Sequence, residues 1–401
     1  MTLLLIGHDA NRAGAQLVLL QLMRLLKAEG MTMRLLLGEG GPLLEAYREL
    51  APVVLWREIH PDQTPVVGPL ADKVLGKLGL WQSFADRQLT DRQQALARQL
   101  DLASVDAVVV NTVMGSTWFR HLPLPDTTPV IVFAHELAMS VRMYSQPDAL
   151  RYLLHRADHV LAVSKATARY YETEHGVPAE KLSLFTLIDL PTLQANVARA
   201  TAGPDPLPGL NLPPDALVVG GCGNAEWRKG NDLFVTLAKL VQQRVTDRPV
   251  HFVWVGMPKG PLYDDLTLDC RKAGLTDRVH WIEPTPDVLR YMARFHIFAL
   301  CSREDPYPLV VLEAGLLALP ILCFDEAGGA PELVETDGGY VLPYLDLGGM
   351  SERIAELATN EPLRRQLGNR LCQKVVERHA SNRSLPQFLA LLHRLAPRTN
   401  A

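Results

Sequence analysis

Short apolar runs alternate with amphipathic stretches along almost the whole of this chain. The runs fall at 3–6, 33–37, 53–56, 107–110, 130–133 and 160–163, and then at 218–221, 251–255, 279–282, 297–300 and 320–324. Helix-period segments lie between them, as at 15–29 and 232–242. A run without a polar face is a strand buried on both sides, and strands alternating with helices build parallel sheets covered on both faces. The expected class is therefore α/β.

A chain of 401 residues suggests two domains. The alternation stops near residue 195 and resumes near 215, and the tract 202–214 holds five prolines and two glycines. Proline fixes φ and removes a donor, so this tract is neither helix nor inner strand. The expected organisation is a first domain over 1–195, a linker over 196–214 and a second domain over 215–380. A helical segment over 381–401 then packs back on the first domain. A smaller interruption lies at 61–69. Two tandem Rossmann-like doubly wound domains bind ligands at the carboxyl ends of their strands, and facing each other across a cleft they suit an enzyme with two substrates.

Charge excludes some partners. Lys+Arg total 40 against 44 Asp+Glu, a net charge of −4. No basic excess exists to neutralise a nucleic-acid backbone. Cys222, Cys270, Cys301, Cys323 and Cys372 form no CxxC pair and read as reduced thiols. The first apolar run ends at Ile6 with no basic residue before it, unlike a signal peptide. The longest apolar region, 309–324, is interrupted by Glu313 and Pro320 and is too short to span a bilayer. A cytoplasmic location is expected, with peripheral contact to the inner face of the membrane left open. Lys73, Lys77, Arg87, Arg92 and Arg98 are the candidates for that contact, against the plainer reading of a solvated helix face. Oligomeric state is not legible.

The densest chemical signal is 302–315, Ser-Arg-Glu-Asp-Pro-Tyr-Pro-Leu-Val-Val-Leu-Glu-Ala-Gly. It follows the run 297–300 and so sits at a strand's carboxyl end. Pro306 and Pro308 force an extended turn before a helix, whose first N–H groups, at Leu309 and Val310, suit a phosphate. Asp305 and Glu313, with seven residues between them, offer acceptors to sugar hydroxyls; a helix cap and a solvated carboxylate are the alternatives. The segment 221–230, Gly-Cys-Gly-Asn-Ala-Glu-Trp-Arg-Lys-Gly, brings Arg228 and Lys229 to another strand end. Arginine takes phosphate as a planar fork and lysine as a point charge; a solvated basic pair is the alternative. In the first half, Gly14 and Ala15 leave room for a ligand at a helix N-terminus, although the loop is not GxGxxG. His135 follows the run 130–133, where it could bond a sugar hydroxyl or serve structure alone. His155 and His159 read as structural histidines, and no cluster suggests a metal.

The 302–315 segment resembles the donor signature of glycosyltransferase family 4, in the GT-B fold. Its continuation, Leu312-Glu-Ala314, Pro320 and Gly328-Gly-Ala-Pro-Glu332, resembles that family as well. Asp305 stands where glutamate is commoner, and Pro306-Tyr-Pro308 replaces a glycine-rich turn. The resemblance implies that Asp305 contacts the transferred sugar and Glu313 the nucleotide ribose. It implies that Lys229 and Arg228 neutralise the donor diphosphate, although the family's arginine usually stands earlier, near Asn224. It further implies that Gly14 and Ala15 approach the donor phosphates, that His8 or Asp9 meets acceptor, and that His135 lies near the donor sugar. The implied activity is metal-independent transfer of a sugar from a UDP- or GDP-sugar to a glycan, lipid-linked or small-molecule acceptor, with retention and no cofactor. A nucleotide-sugar 2-epimerase and a non-catalytic nucleotide-sugar-binding protein are the alternatives.

Overall fold

The computed structural model describes residues 1–59, 91, 93–210, 212–379 and 384–397. The chain divides into two units. The first comprises Met1–Val163, Ala168–Leu187 and Asn382–Ala401; the second comprises Ser164–Thr167 and Ile188–Ser381.

The first unit is built on seven parallel strands: β1 (Thr2–Ile6), β2 (Thr32–Leu37), β3 (Val53–Leu55), β4 (Ala107–Val110), β5 (Val130–Ala134), β6 (His159–Ala162) and β7 (Leu182–Leu184). Their order is β3-β2-β1-β4-β5-β6-β7. Side chains alternate along a strand, so a run such as Leu3-Leu-Leu-Ile6 feeds two cores at once. Leu3 and Leu5 join Leu19, Leu22 and Leu26 on one face, while Leu4 and Ile6 join Val108 and Val110 on the other. The leucines at 19, 22 and 26 form the buried stripe of α1 (Gly14–Ala28). That helix stops where Gly30 takes φ 73°, a left-handed C-terminal turn that glycine adopts without steric cost.

The second unit has six parallel strands: β8 (Leu217–Cys222), β9 (Val250–Val255), β10 (Val279–Ile282), β11 (Ile297–Leu300), β12 (Ile321–Phe324) and β13 (Gly339–Leu342). Their order is β10-β9-β8-β11-β12-β13. In both sheets the order reverses beside the first strand, between β1 and β4 and between β8 and β11. A doubly wound sheet opens a crevice at that point, at the carboxyl ends of the strands.

Two strands, β7 and β13, are absent from the apolar runs, and both lie at sheet edges. The expected linker also differs. Helix α2 (Leu190–Ala202) runs to the start of the proline-rich tract and packs on α4 (Leu309–Leu316) and on the helix Val288–Met292. Leu207 is buried in the same core, with Leu210 and Leu212 packed against it. Leucines between the prolines thus hold the tract on the second unit, and the division of the chain falls after Leu187.

Three further helices matter below: α3 (Asn231–Arg244), α5 (Glu361–Arg378) and α6 (Ser384–Leu395). The last buries Phe388, Leu391 and Leu392 in the first unit, where Phe388 sits 5.8 Å from Phe133 and 6.0 Å from Phe185. All five cysteines are free. Among the described residues no helix is long and apolar enough to cross a membrane. The tract 61–69 and Lys73, Lys77, Arg87 and Arg92 lie outside the described residues; Arg98 is exposed on a helical segment over 93–99.

Candidate functional site

At the switch point of the second unit, the loop after β8 and the loop after β11 press together. Gly230 takes φ 72°, and a Cβ there would fall 2.0 Å from the Cys301 carbonyl oxygen. The Arg303 N–H donates to the Arg228 carbonyl at 2.7 Å. This contact brings together side chains 76 positions apart: Lys229 Nζ donates to Asp305 Oδ2 at 2.6 Å. Ser302 Oγ donates to the same oxygen at 3.3 Å. Arg228 Nη1 stands 3.8 Å from Asp305 Oδ1, while its Nε donates to Glu226 Oε2 at 2.7 Å. The Lys229 and Asp305 side chains are 11% and 8% exposed, so the pair is shielded from water.

Asp305 is positioned through its backbone. Its N–H donates to the Ala327 carbonyl at 2.6 Å, and its carbonyl accepts from the Gly329 N–H at 3.2 Å. Gly328, at φ 133°, lies against it; a Cβ there would meet the Asp305 carbonyl oxygen at 1.8 Å.

Helix α4 opens after Pro308 with no side-chain cap. Its leading N–H groups, those of Leu309 and Val310, lack intrahelical acceptors and carry the positive end of the helix dipole. Glu313 follows one turn later. Its carboxylate has no hydrogen-bond or ion-pair partner among the described residues, and burial pushes its pKa up to about 7. Burial first, and then the Glu313 charge, raise the neighbouring Cys222 thiol to about 12, while Lys229 opposes them. Glu313 and Lys229 therefore act on one neighbourhood at the end of β8.

The first unit brings other expected residues together. His8 Nε2 lies 3.1 Å from Asp9 Oδ2. Asp9 also accepts from Gln16 Nε2 at 2.7 Å, from the Asn11 N–H at 2.9 Å and from Asn11 Nδ2 at 2.8 Å. Burial opposes ionisation of Asp9, but these donors and His8 together lower its pKa. Burial lowers that of His8. Gly14 is exposed at the start of α1, beside Ala15, and the helix has no side-chain cap. His135 follows β5. Burial lowers its pKa to about 4, and its Nε2 is buried without a partner. Next to it Glu136 accepts from Thr112 Oγ1 and from the His135 N–H, and burial pushes it up to about 7. His155 ends a helix, whereas His159 lies on β6 and its Nε2 pairs with Ser183 Oγ at 2.8 Å. Among the described residues no group of three or more His, Cys, Asp or Glu is placed to hold a metal.

Several polar residues at these strand ends had no signal of their own. Glu226, Ser302, Gln16 and Thr112 are ordinary polar residues in sequence, and only the folded chain shows what they bond.

Comparison with known proteins agrees with the doubly wound fold of the two units. Residues 208–372 match the family model of glycosyl transferases group 1, and residues 13–186 match a glycosyl transferase 4-like domain. One relative is the lipopolysaccharide core biosynthesis mannosyltransferase LpcC of Rhizobium leguminosarum bv. viciae. It is 27% identical over 213 residues, 51% of this chain and 55% of that protein. Another is the N-acetyl-α-D-glucosaminyl L-malate synthase of Bacillus anthracis, 25% identical over 40% of this chain and 41% of that protein. The chain thus spans about half or less of the length of these relatives. Among solved structures, Anabaena HepE in complex with UDP superposes with a TM-score of 0.72 at 19% identity, over 98% of this chain and 100% of that one. WaaG, a glycosyltransferase involved in lipopolysaccharide biosynthesis, gives 0.64 at 14% identity, over 99% and 100%. With a 4-like domain matched in the first half, a group 1 domain in the second and a doubly wound sheet under each, the chain belongs to the GT-B glycosyltransferases of the family 4 type.

Proposed function

We propose that this protein transfers a sugar, with retention, from a UDP- or GDP-sugar to a hydroxyl of a glycan, a lipid-linked sugar or a small molecule. The observation that carries the reading is the Lys229–Asp305 pair, 2.6 Å apart and shielded, with a second cation, Arg228, beside it. A donor diphosphate takes the two cations, and the N–H groups of Leu309 and Val310 complete its cradle. Departure of the nucleotide leaves negative charge on that diphosphate, and fixed donors in a site shielded from water stabilise it as it develops. This is the task that a divalent cation performs elsewhere, and here the cations and the helix dipole perform it. Asp305, released by Lys229, accepts from hydroxyls of the transferred sugar. Glu313 accepts from the ribose hydroxyls.

In the first unit His135 is neutral above about pH 4, and its unpartnered Nε2 suits a sugar hydroxyl. Gly14 and Ala15, at the uncapped start of α1, suit a phosphate, and His8 and Asp9 suit an acceptor hydroxyl. The names of the relatives, which include transfer of mannose and formation of an N-acetylglucosaminyl product, support a hexosyl donor.

The test is thermal shift against UDP-, GDP-, ADP- and dTDP-sugars, since a ligand that binds the native state raises stability. Product analysis with the donor that binds then follows. Stabilisation by a UDP- or GDP-sugar, and a glycosylated product with the anomeric configuration kept, is expected. Free sugar epimerised at C2, or binding without turnover under any acceptor, would overturn the proposal.

A further inference from the structure

The loop after β8 contains a carboxylate that the reaction does not call for. Glu226 is held at both oxygens: Oε1 accepts from Asn224 Nδ2 at 3.2 Å, and Oε2 accepts from Arg228 Nε at 2.7 Å. Its bond to Arg228 uses only the Nε edge of the guanidinium. The two terminal nitrogens make no hydrogen bond among the described residues; their nearest anion is Asp305, with Nη1 at 3.8 Å from Oδ1. A guanidinium presents its donors in one plane. Fixing the Nε edge therefore fixes the direction of the remaining donors, and here they point at the carboxylate that Lys229 already holds.

The backbone reinforces this arrangement. Arg228 lies in the single helical turn Trp227–Lys229, and its carbonyl is held by the Arg303 N–H at 2.7 Å. The Arg303 guanidinium is fixed in turn by both oxygens of Asp232, at 2.9 and 2.7 Å. Arg303 thus has its fork occupied, whereas the fork of Arg228 makes only the 3.8 Å ion pair with Asp305 among the described residues. A long side chain that is 22% exposed would otherwise sample many rotamers. Asn224 and Glu226 remove that freedom.

We propose that Asn224 and Glu226 are positioning residues that aim the Arg228 guanidinium at the donor's diphosphate, so that Asn224, Glu226 and Arg228 act as one phosphate-binding device. The proposal deepens the donor reading above and rests on it. It makes the Glu226 charge secondary and its geometry primary. A neutral residue of the same shape should do nearly the same work, and a truncated one should not.

The experiment is calorimetric titration of UDP and of inorganic pyrophosphate into the wild type, Glu226→Ala, Glu226→Gln, Arg228→Ala and the Glu226→Ala/Arg228→Ala double variant. Melting temperatures and, for the donor that binds, kcat and KM are measured in parallel. Arg228→Ala is expected to weaken both ligands roughly tenfold or more, in line with loss of a charge-assisted bond. Glu226→Ala should give a smaller loss of the same kind, raise donor KM and leave the melting temperature near wild type. Glu226→Gln should recover most of the affinity, and the double variant should be no weaker than Arg228→Ala alone. Independent, additive losses in the double variant would overturn the proposal, as would tighter binding by Glu226→Ala or failure of Glu226→Gln to recover affinity. Pyrophosphate separates this idea from the donor reading. A wild type that binds pyrophosphate but no nucleotide removes the nucleotide and leaves the device to be judged on pyrophosphate, and a wild type that binds neither removes both.

Discussion

Burial raises the Glu313 carboxyl to about 7, and no neighbouring cation offsets it. Between the ordinary carboxyl value near 4.5 and about 7, the folded chain keeps a proton that the unfolded chain has released. Stability therefore falls as pH rises through that window. Glu136, raised to about 7 by burial in the first unit, adds a change of the same sign. Denaturant titrations at pH 5 and pH 7.5 should show the slope, and Glu313→Gln and Glu136→Gln should each flatten it. Ligand affinity should move the other way. The ionised carboxylate is the better acceptor for ribose hydroxyls, so a nucleotide sugar, whose diphosphate does not titrate there, should bind more tightly as pH rises through 7. Glu313→Ala should weaken the nucleotide by about 1.5–3 kcal/mol at pH 8, the range for a charge-assisted bond. Asp305→Asn should instead spare nucleotide affinity and depress turnover. Equal losses of UDP or GDP affinity in the two variants would contradict that division of roles.

Elements set these side chains more firmly than the side chains set themselves. Asp305 is held by one parallel bridge to Gly328, where a Cβ would lie 1.8 Å from the Asp305 carbonyl oxygen at φ 133°. Gly328→Ala combines that clash with a strained backbone, which alone costs about 1–3 kcal/mol. It should lower the melting temperature and reduce kcat far more than a surface substitution, and a variant with wild-type turnover would show that Asp305 does not need the bridge. At the same level lies the expectation that activity persists in EDTA, because the start of α4 and two cations supply the charge a metal would bring. Loss on chelation with recovery in Mg²⁺ or Mn²⁺ would refute it. Inner strands were legible because a strand buried on both faces must be apolar at every position, as at Leu3–Ile6. Edge strands β7 and β13 were not, since Leu182-Ser-Leu184 and Gly339-Tyr-Val-Leu342 are short and only partly covered. Asp305 and Lys229 could be picked out because each lies in a loop beyond an apolar run, and Glu313 because it is the one charge within the apolar stretch 309–324. Ser302, Glu226 and Gln16, which bond Asp305, Arg228 and Asp9, could not, because ordinary polar residues become specific only when the local fold sets them against a partner. Arg228 was legible as a cation but not in its direction, which depends on Glu226.

At the scale of the whole molecule, the core of the first unit includes α6, which follows the second unit in sequence. Phe388, Leu391 and Leu392 of α6 are buried in its core beside Phe133 and Phe185. Leu392→Ala removes a fully buried leucine and should cost about 2–5 kcal/mol, read as a lower denaturant midpoint at an unchanged slope. If α6 were only lightly attached, the midpoint would not move. The order of synthesis then differs from the order of completion. Domains generally fold as they leave the ribosome, the earlier one first. Here strands β1 to β7 are made first, yet the core they share with α6 waits until that helix has emerged. By then the long segment Ile188–Ser381 of the second unit has emerged in full. The nascent first unit must hold an open apolar face throughout that interval, a span in which a chaperone, or a stalled ribosome, would find it uncovered.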